Sequence, residues 1–301
     1  VYNQIGLIII DEQHRFGVEQ RHNLKEKGNN PDLLVMTATP IPRSLALTVY
    51  GDLDLSIIDE MPPGRSPVIT TWRDKKVRGK IYKFVKDELN KGRQAYVVCP
   101  LIEESEELEA VSAVEMKENL IHTYLSNYKV GLLHSKISSD KKDMIMDKFR
   151  KGEIDVLVST TVIEVGVDVP NASIMIIENA ERFGLAQLHQ LRGRVGRGKY
   201  QSYCIMIADP NTEDSRKILN VMTNTNYGFD IAKKDLEIRG PGEFFGTKQH
   251  GIPNFKVANL LKDQKLLTLA RKEAQKIIDD SAWPDNYSML KKSITELELK
   301  L

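Results

Sequence analysis

A chain of 301 residues has room for about two domains. Its 41% hydrophobic and 28% charged content is that of a soluble globular protein, and it has neither the ~20-residue apolar run of a membrane helix nor a signal-peptide pattern. The formal net charge of +1 neither demands nor excludes a nucleic-acid partner, and Cys99 and Cys204, each inside an apolar run without a CxxC neighbour, read as buried free thiols in a reducing compartment.

The first element is IGLIIIDE (5–12), a short apolar run ending in two acids, and the next is LLVMTATP (33–40), stopped by its proline. Both read as buried parallel strands with loops at their carboxyl ends, and a helical stretch is expected between them. Because Val1 stands almost directly before a strand, the chain is expected to be a piece, cut or processed, of a longer fold. PPGRSP (62–67) then reads as a linker.

Beyond it the pattern alternates. VITTW, AYVVC, KVGLLHS, DVLVST, ASIMIIE and SYCIMIAD are strand-like, with helical stretches at 76–91, 106–126, 140–151 and 185–192. Alternation of this kind predicts βαβ units and a doubly wound parallel α/β sheet. From about 213 the apolar spacing is helical, broken by RGPGEFFGTKQHG (239–251). The expected organisation is part of one α/β layer (1–61), the linker, a complete α/β domain (68–210) and a helical appendix (211–301). Two charged patches stand out, RDKKVRGKIYKFVK (73–86) and EESEELE (103–109), and the plain reading of each is a solvated helix face.

Which segments carry chemistry? Gly193–Lys199 nearly spells GxxxxGK[ST], but Tyr200 stands where the Mg²⁺-binding hydroxyl belongs. A helix also precedes it and a strand follows, the reverse of a phosphate cradle. DEQH (11–14) places two carboxylates at a strand end, where Asp11 could hold Mg²⁺ and Glu12 polarise water; an acidic cap is the plain alternative. There is no HExxH, so His14 is not a zinc ligand in that sense. TATP (37–40) suits a hydroxyl relay or an ordinary turn. STTVIEVGVDVP (159–170) offers hydroxyls to phosphate oxygens, a glycine and the acceptor Asp168, or is merely a polar loop. In QLRGRVGRG (190–198), Arg194 and Arg197 are three apart and would share a face on a helical turn, with glycines admitting an anion between them.

The order of these segments decides. DEQH, TATP, the GLLHSK strand end, STTxxxxGxDxP and QxxGRxGR, spread over two α/β units joined by a proline-rich linker, resemble the superfamily 2 helicases. DEQHRFGVEQR (11–21), IENAERFGLAQLHQLRGRVGRG (177–198) and DLEIRGPGEFFGTKQHGIPNF (235–255) narrow the resemblance to the bacterial RecG family of DNA helicases, over about residues 1–280. The transcription-repair coupling translocases are similar, but they carry a DEEQRFG-type motif and a shorter apolar variant of RGPGEFFGTKQ.

The resemblance implies a P-loop-NTPase-type (RecA-like) helicase lobe 2 behind a partial lobe 1, followed by a translocation element. The reaction implied is ATP hydrolysis coupled to movement on branched duplex DNA, at replication forks and Holliday junctions. Asp11 would hold Mg²⁺ and Glu12 orient water, while Arg194 and Arg197 would stabilise the transferring phosphoryl group. Gln190, Gly166, Asp168 and His14 would meet the nucleotide. Thr37, Thr39, Ser135, Thr160 and Thr161 would couple to DNA or touch its backbone, and Arg239 and Gln249 would lie in the translocation element. DNA binding is expected to be sequence-independent, with a single-stranded DNA-binding protein as a further partner, in a cytoplasmic monomer. The P-loop and a fork-recognising wedge domain would lie upstream of Val1, so the chain alone is expected to be inactive in ATP turnover. From another class, the chain could be a non-catalytic module that docks DNA or protein.

Overall fold

The computed structural model describes residues 5–11, 31–37, 54, 56–60, 66–100, 106–160, 168–244, 263–280 and 285–298. The chain divides into two compact units, Val1–Pro40 with Asp59–Phe244, and Ile41–Ile58 with Phe245–Leu301.

In the first unit, strands β1 (Leu7–Ile10) and β2 (Asp32–Val35) pair in parallel, from Leu7 opposite Asp32 to Ile10 opposite Val35. The predicted helix between them lies outside the described residues. Ile8 and Ile10 are buried, whereas Leu7, Ile9, Leu34 and Met36 are exposed. Strictly alternating burial along β1 is the signature of a sheet with one covered face.

The larger sheet has six strands, all parallel, in the order β3-β8-β7-β4-β6-β5. They are β3 (Ile69–Asp74), β4 (Gln94–Val98), β5 (Val130–Leu133), β6 (Val156–Ser159), β7 (Ala172–Glu178) and β8 (Tyr203–Ala208). The helices around them are α1 (Arg78–Asn90), α2 (Glu106–Thr123), α3 (Ser139–Arg150), α4 (Leu185–Arg192), α5 (Glu213–Asn224) and α6 (Gly228–Phe244), with 3-10 turns at Lys75–Val77 and Ala180–Arg182. Every residue of β4, β6 and β7 is buried, as a parallel sheet covered on both faces requires. Successive side chains go to opposite faces. Tyr96, Val98, Met175 and Ile177 pack with Phe149, Leu188 and Val195. Ala95, Val97, Ile174 and Ile176 pack with Ile81, Val85, Leu120 and Leu125.

The expected doubly wound sheet is present strand for strand, and α4 has the predicted limits. Leu219 and Met222 of α5 and Ile231 of α6 join the core on the Tyr96 face. One expectation is corrected. The helix was to break at the glycine-rich 239–251 stretch, but α6 runs on through Gly240-Pro241-Gly242 to Phe244. Proline normally pushes the residue before it out of helical geometry by clashing with its Cβ; here that residue is glycine, which has none. Of the acidic stretch 103–109, no side chain lies among those described.

The second unit contributes α7 (Gln264–Ile278), a 3-10 turn at Asp285–Tyr287 and α8 (Ser288–Glu298). No helix among the described residues is long and apolar enough to cross a membrane.

Candidate functional site

A parallel sheet sorts its loops. Segments entering strands lie at one edge and segments leaving strands at the other, and the predicted site residues divide between the two.

At the entering edge, Asp168-Val169-Pro170 leads into β7 and Arg194 to Gly198 leads into β8. Arg197 Nε lies 3.7 Å from Asp168 Oδ1 and donates to the Gly193 carbonyl at 3.3 Å. Both partners are about half exposed, at 40% and 52% of their side-chain surface, so the pair contributes little stability. It holds the guanidinium in place yet yields readily to a stronger anion. Burial pushes the Tyr96 phenol up to about 12; the charge of Arg194 opposes that push, Asp168 adds to it, and Arg197 opposes it. All three charges therefore act on the phenol of Tyr96 in β4.

The local geometry is not a shared helical turn. α4 ends at Arg192, Gly193 caps it, and Gly196 takes a φ of +82°, which turns the chain between the two arginines. A Cβ at Gly196 would come within 2.8 Å of Val68 Cγ2, and one at Gly198 would overlap the Pro170 carbonyl oxygen. The glycines thus serve the chain's own packing, rather than clearing space for an anion as the sequence suggests. Gly198 lets the loop before β8 lie directly against the loop before β7, and that contact brings Arg197 to Asp168.

Arg192 has a separate job. It is 4% exposed and donates to the carbonyls of Met222 at 3.0 Å and Thr225 at 2.8 Å, tying α4 to the end of α5. The side chain of Gln190, half-buried on the last turn of α4, makes no hydrogen bond among the described residues, so its amide is open to a ligand or water.

At the leaving edge, Ser135 follows β5 and Thr160 follows β6, on neighbouring strands joined at Leu133 and Ser159. Thr160 N donates to the Leu133 carbonyl at 3.3 Å. Its side chain is buried, and Oγ1 has no hydrogen-bond partner among the described residues. A buried hydroxyl left without a partner is uncommon, and it sits at the start of the segment predicted to touch phosphates. In the small sheet, Asp11 follows β1 and Thr37 follows β2, side by side because Met36 N bonds the Ile10 carbonyl at 2.8 Å. Glu12, His14, Thr39, Thr161, Gly166 and Gln249 lie outside the described residues, as does the side chain of Arg239.

The sequence offered no sign of two further contributors. The Arg93 guanidinium lies 3.1 Å from the Tyr200 ring centre, and Gln201 Nε2 donates to the Pro67 carbonyl at 2.9 Å. Together they pin the segment that follows Arg197. Their partners are remote in sequence, and no spacing rule links them. At the far end of β7, Glu178 accepts from the Tyr82 hydroxyl at 2.8 Å and pairs with Arg78 Nη2 at 2.8 Å, fixing the start of the turn that leads to α4.

Known proteins show what this chain is similar to. The model of the helicase conserved C-terminal domain matches residues 78–199, and that of the ATP-dependent DNA helicase RecG, domain 3, C-terminal, matches 225–300. ATP-dependent DNA helicase RecG of Bacillus subtilis is 50% identical over 292 residues, 96% of this chain and 43% of that protein. Its namesake from Staphylococcus aureus (strain N315) is 52% identical over 297 residues, 98% of this chain and 43% of that protein. The chain thus spans less than half the length of these relatives. A solved structure of RecG bound to a three-way DNA junction superposes with a TM-score of 0.67 at 52% identity, over 87% of this chain and 33% of that one. A DUF1998 helicase, MrfA bound to DNA, shares the fold at 18% identity, with a TM-score of 0.52 over 77% of this chain and 34% of that one. The chain is thus similar to RecG at half-identity along almost its whole length, and two family models match successive segments of it.

Proposed function

We propose that this chain is the second half of an ATP-driven helicase that moves on branched duplex DNA, at replication forks and Holliday junctions, in recombination and repair. Residues 1–61 act as the end of lobe 1, 68–210 as lobe 2 and 211–301 as the translocation element. The observation that carries the reading is the Arg197–Asp168 pair at 3.7 Å, half exposed, at the entering edge of the sheet. A guanidinium held by one distant, half-exposed carboxylate yields readily to a polyphosphate. The solved relative bound to a three-way DNA junction supports branched DNA as the substrate.

ATP fits this donor set: Arg194 and Arg197 bind the terminal phosphate and stabilise charge as the phosphoryl group transfers, while Gln190 and Asp168 register its presence. Mg²⁺ binds through one or two carboxylates together with phosphate oxygens. Asp11 at the end of β1 supplies one; among the described residues no group of three ligands forms an independent metal site. Glu12 orients water, and Thr37 passes the nucleotide state toward DNA. Ser135 and Thr160 meet backbone phosphates, which position DNA without reading its sequence. The work belongs in the cytoplasm, by one copy, with a single-stranded DNA-binding protein as the protein partner.

The test joins the portion of the Bacillus subtilis relative that this chain does not cover to the chain, and measures ATP turnover on forked, linear and single-stranded DNA. Strong stimulation by forks is expected, falling roughly 10³–10⁵-fold with Arg197→Ala. Equal stimulation by linear duplex would instead indicate a transcription-coupled translocase, and no turnover on any DNA a binding module.

A further inference from the structure

Several surface lysines are neutralised by their own helices. Lys91 meets Glu88 at 2.6 Å, Lys151 meets Asp147 at 2.6 Å, Lys217 meets Glu213 at 3.0 Å, and Lys234 meets Glu237 at 2.6 Å. At the start of α1 no such pair forms among the described residues. Lys76 in the preceding 3-10 turn, then Lys80 and Lys83, follow at spacings of four and three, which places them on one face. That face is opposite Ile81, Tyr82, Val85 and Leu89, which are buried in the core. All three lysines are exposed, and none has an ion-pair partner among the described residues. Like charges at this spacing destabilise a helix.

Gly79 lies on the same face, and its presence has no internal cause. A Cβ there would meet no atom within 4 Å, and its φ is not positive. Alanine would fit and would strengthen the helix. A merely solvated face accounts for the lysines but not for a bare backbone between them. Two independent costs to stability therefore fall on one patch, and both are offset if an anionic surface comes close.

We infer that the Lys76–Gly79–Lys80–Lys83 face docks the sugar-phosphate backbone of duplex DNA. The lysines act as point charges toward successive phosphates, and Gly79 lets the backbone approach. This rests on the reading that the chain works on DNA, and it adds a contact apart from Ser135 and Thr160. α1 starts at the same leaving edge of the sheet, but β3 and β6 are four strand spacings apart, roughly 19 Å at about 4.8 Å each. The contact carries no sequence information, because phosphates are all it meets.

The experiment measures binding of the 301-residue chain to a fluorescent DNA duplex across a series of salt concentrations. Each phosphate contact contributes about 0.9 to the slope of log K against log salt, so replacing all three lysines by alanine lowers the slope by about 2.7 (3 × 0.9). The loss is the same on duplexes of unrelated sequence, and the unfolding midpoint stays equal or rises because like charges are removed. Gly79→Gln raises the midpoint and weakens binding, a combination that a purely structural role would not produce. An unchanged slope in a chain that still binds DNA overturns the inference and leaves the face to an acidic protein partner. A lowered midpoint in the lysine variant also overturns it, by making the face structural. No DNA binding by the unsubstituted chain overturns the functional reading together with this one.

Discussion

At Gly198 the backbone touches the Pro170 carbonyl so closely that even a methyl group overlaps it. Gly198→Ala must push two loops apart, at a cost of about 1–3 kcal/mol, and it moves Arg197 away from Asp168. The expected outcome is a lower unfolding midpoint together with reduced ATP turnover in the joined enzyme; an unchanged midpoint would show that the loops give way freely. His189 supplies a pH test. Burial, then the charge of Arg192, lowers its pKa to about 4. The folded chain keeps it neutral at pH values where the unfolded chain, at about 6.5, takes up a proton. This contribution is therefore fully present above pH 6.5 and is lost as the pH falls from 6.5 toward 4, by of order 1–3 kcal/mol. Unfolding midpoints across that range should drop in the native chain and drop less in His189→Gln.

Elements differ in how completely they are enclosed. β4, β6 and β7 are buried along their whole length, whereas β1 leaves Leu7 and Ile9 more than half exposed. Local opening follows burial, so amide hydrogens of 95–98, 156–159 and 172–178 should exchange far more slowly than those of 7–10. Equal protection would mean that the small sheet is covered by something beyond its visible neighbours. The two sheets were equally legible as apolar runs, because a run of isoleucines reports that a strand wants burial, not whether it obtains it. The reach of α6 through Gly-Pro-Gly was not legible for a related reason. Glycine and proline are punctuation only where local propensity decides, and their combination can relieve the clash that each rule assumes.

Across the whole molecule, the parallel sheet separates the proposed tasks. Asp168, Arg194 and Arg197 lie where strands begin, and Ser135 and Thr160 where they end. Variants should separate accordingly. Arg197→Ala should abolish turnover while DNA affinity stays within a few-fold, and Ser135→Ala with Thr160→Val should weaken DNA binding while turnover per bound enzyme is retained. If both variants lose both properties in parallel, the two edges do not act separately.

The order of motifs along the chain, read with the strand and helix periods, was sufficient to determine the α/β class, the six strands of the large sheet, the limits of α4 and the similarity to RecG. These are local or linear properties: alternation of two and of 3.6 residues, and the sequence of short segments. Tertiary structure alone decided what the arginines and glycines do. Arg192, Arg194 and Arg197 look alike in QLRGRVGRG, yet one is buried on the carbonyls of α5 while another meets Asp168 across a loop contact. A guanidinium's role depends on which oxygens come within about 4 Å of it. Chain packing sets that distance, because residues far apart in sequence, such as Pro170 and Gly198, must first be pressed together.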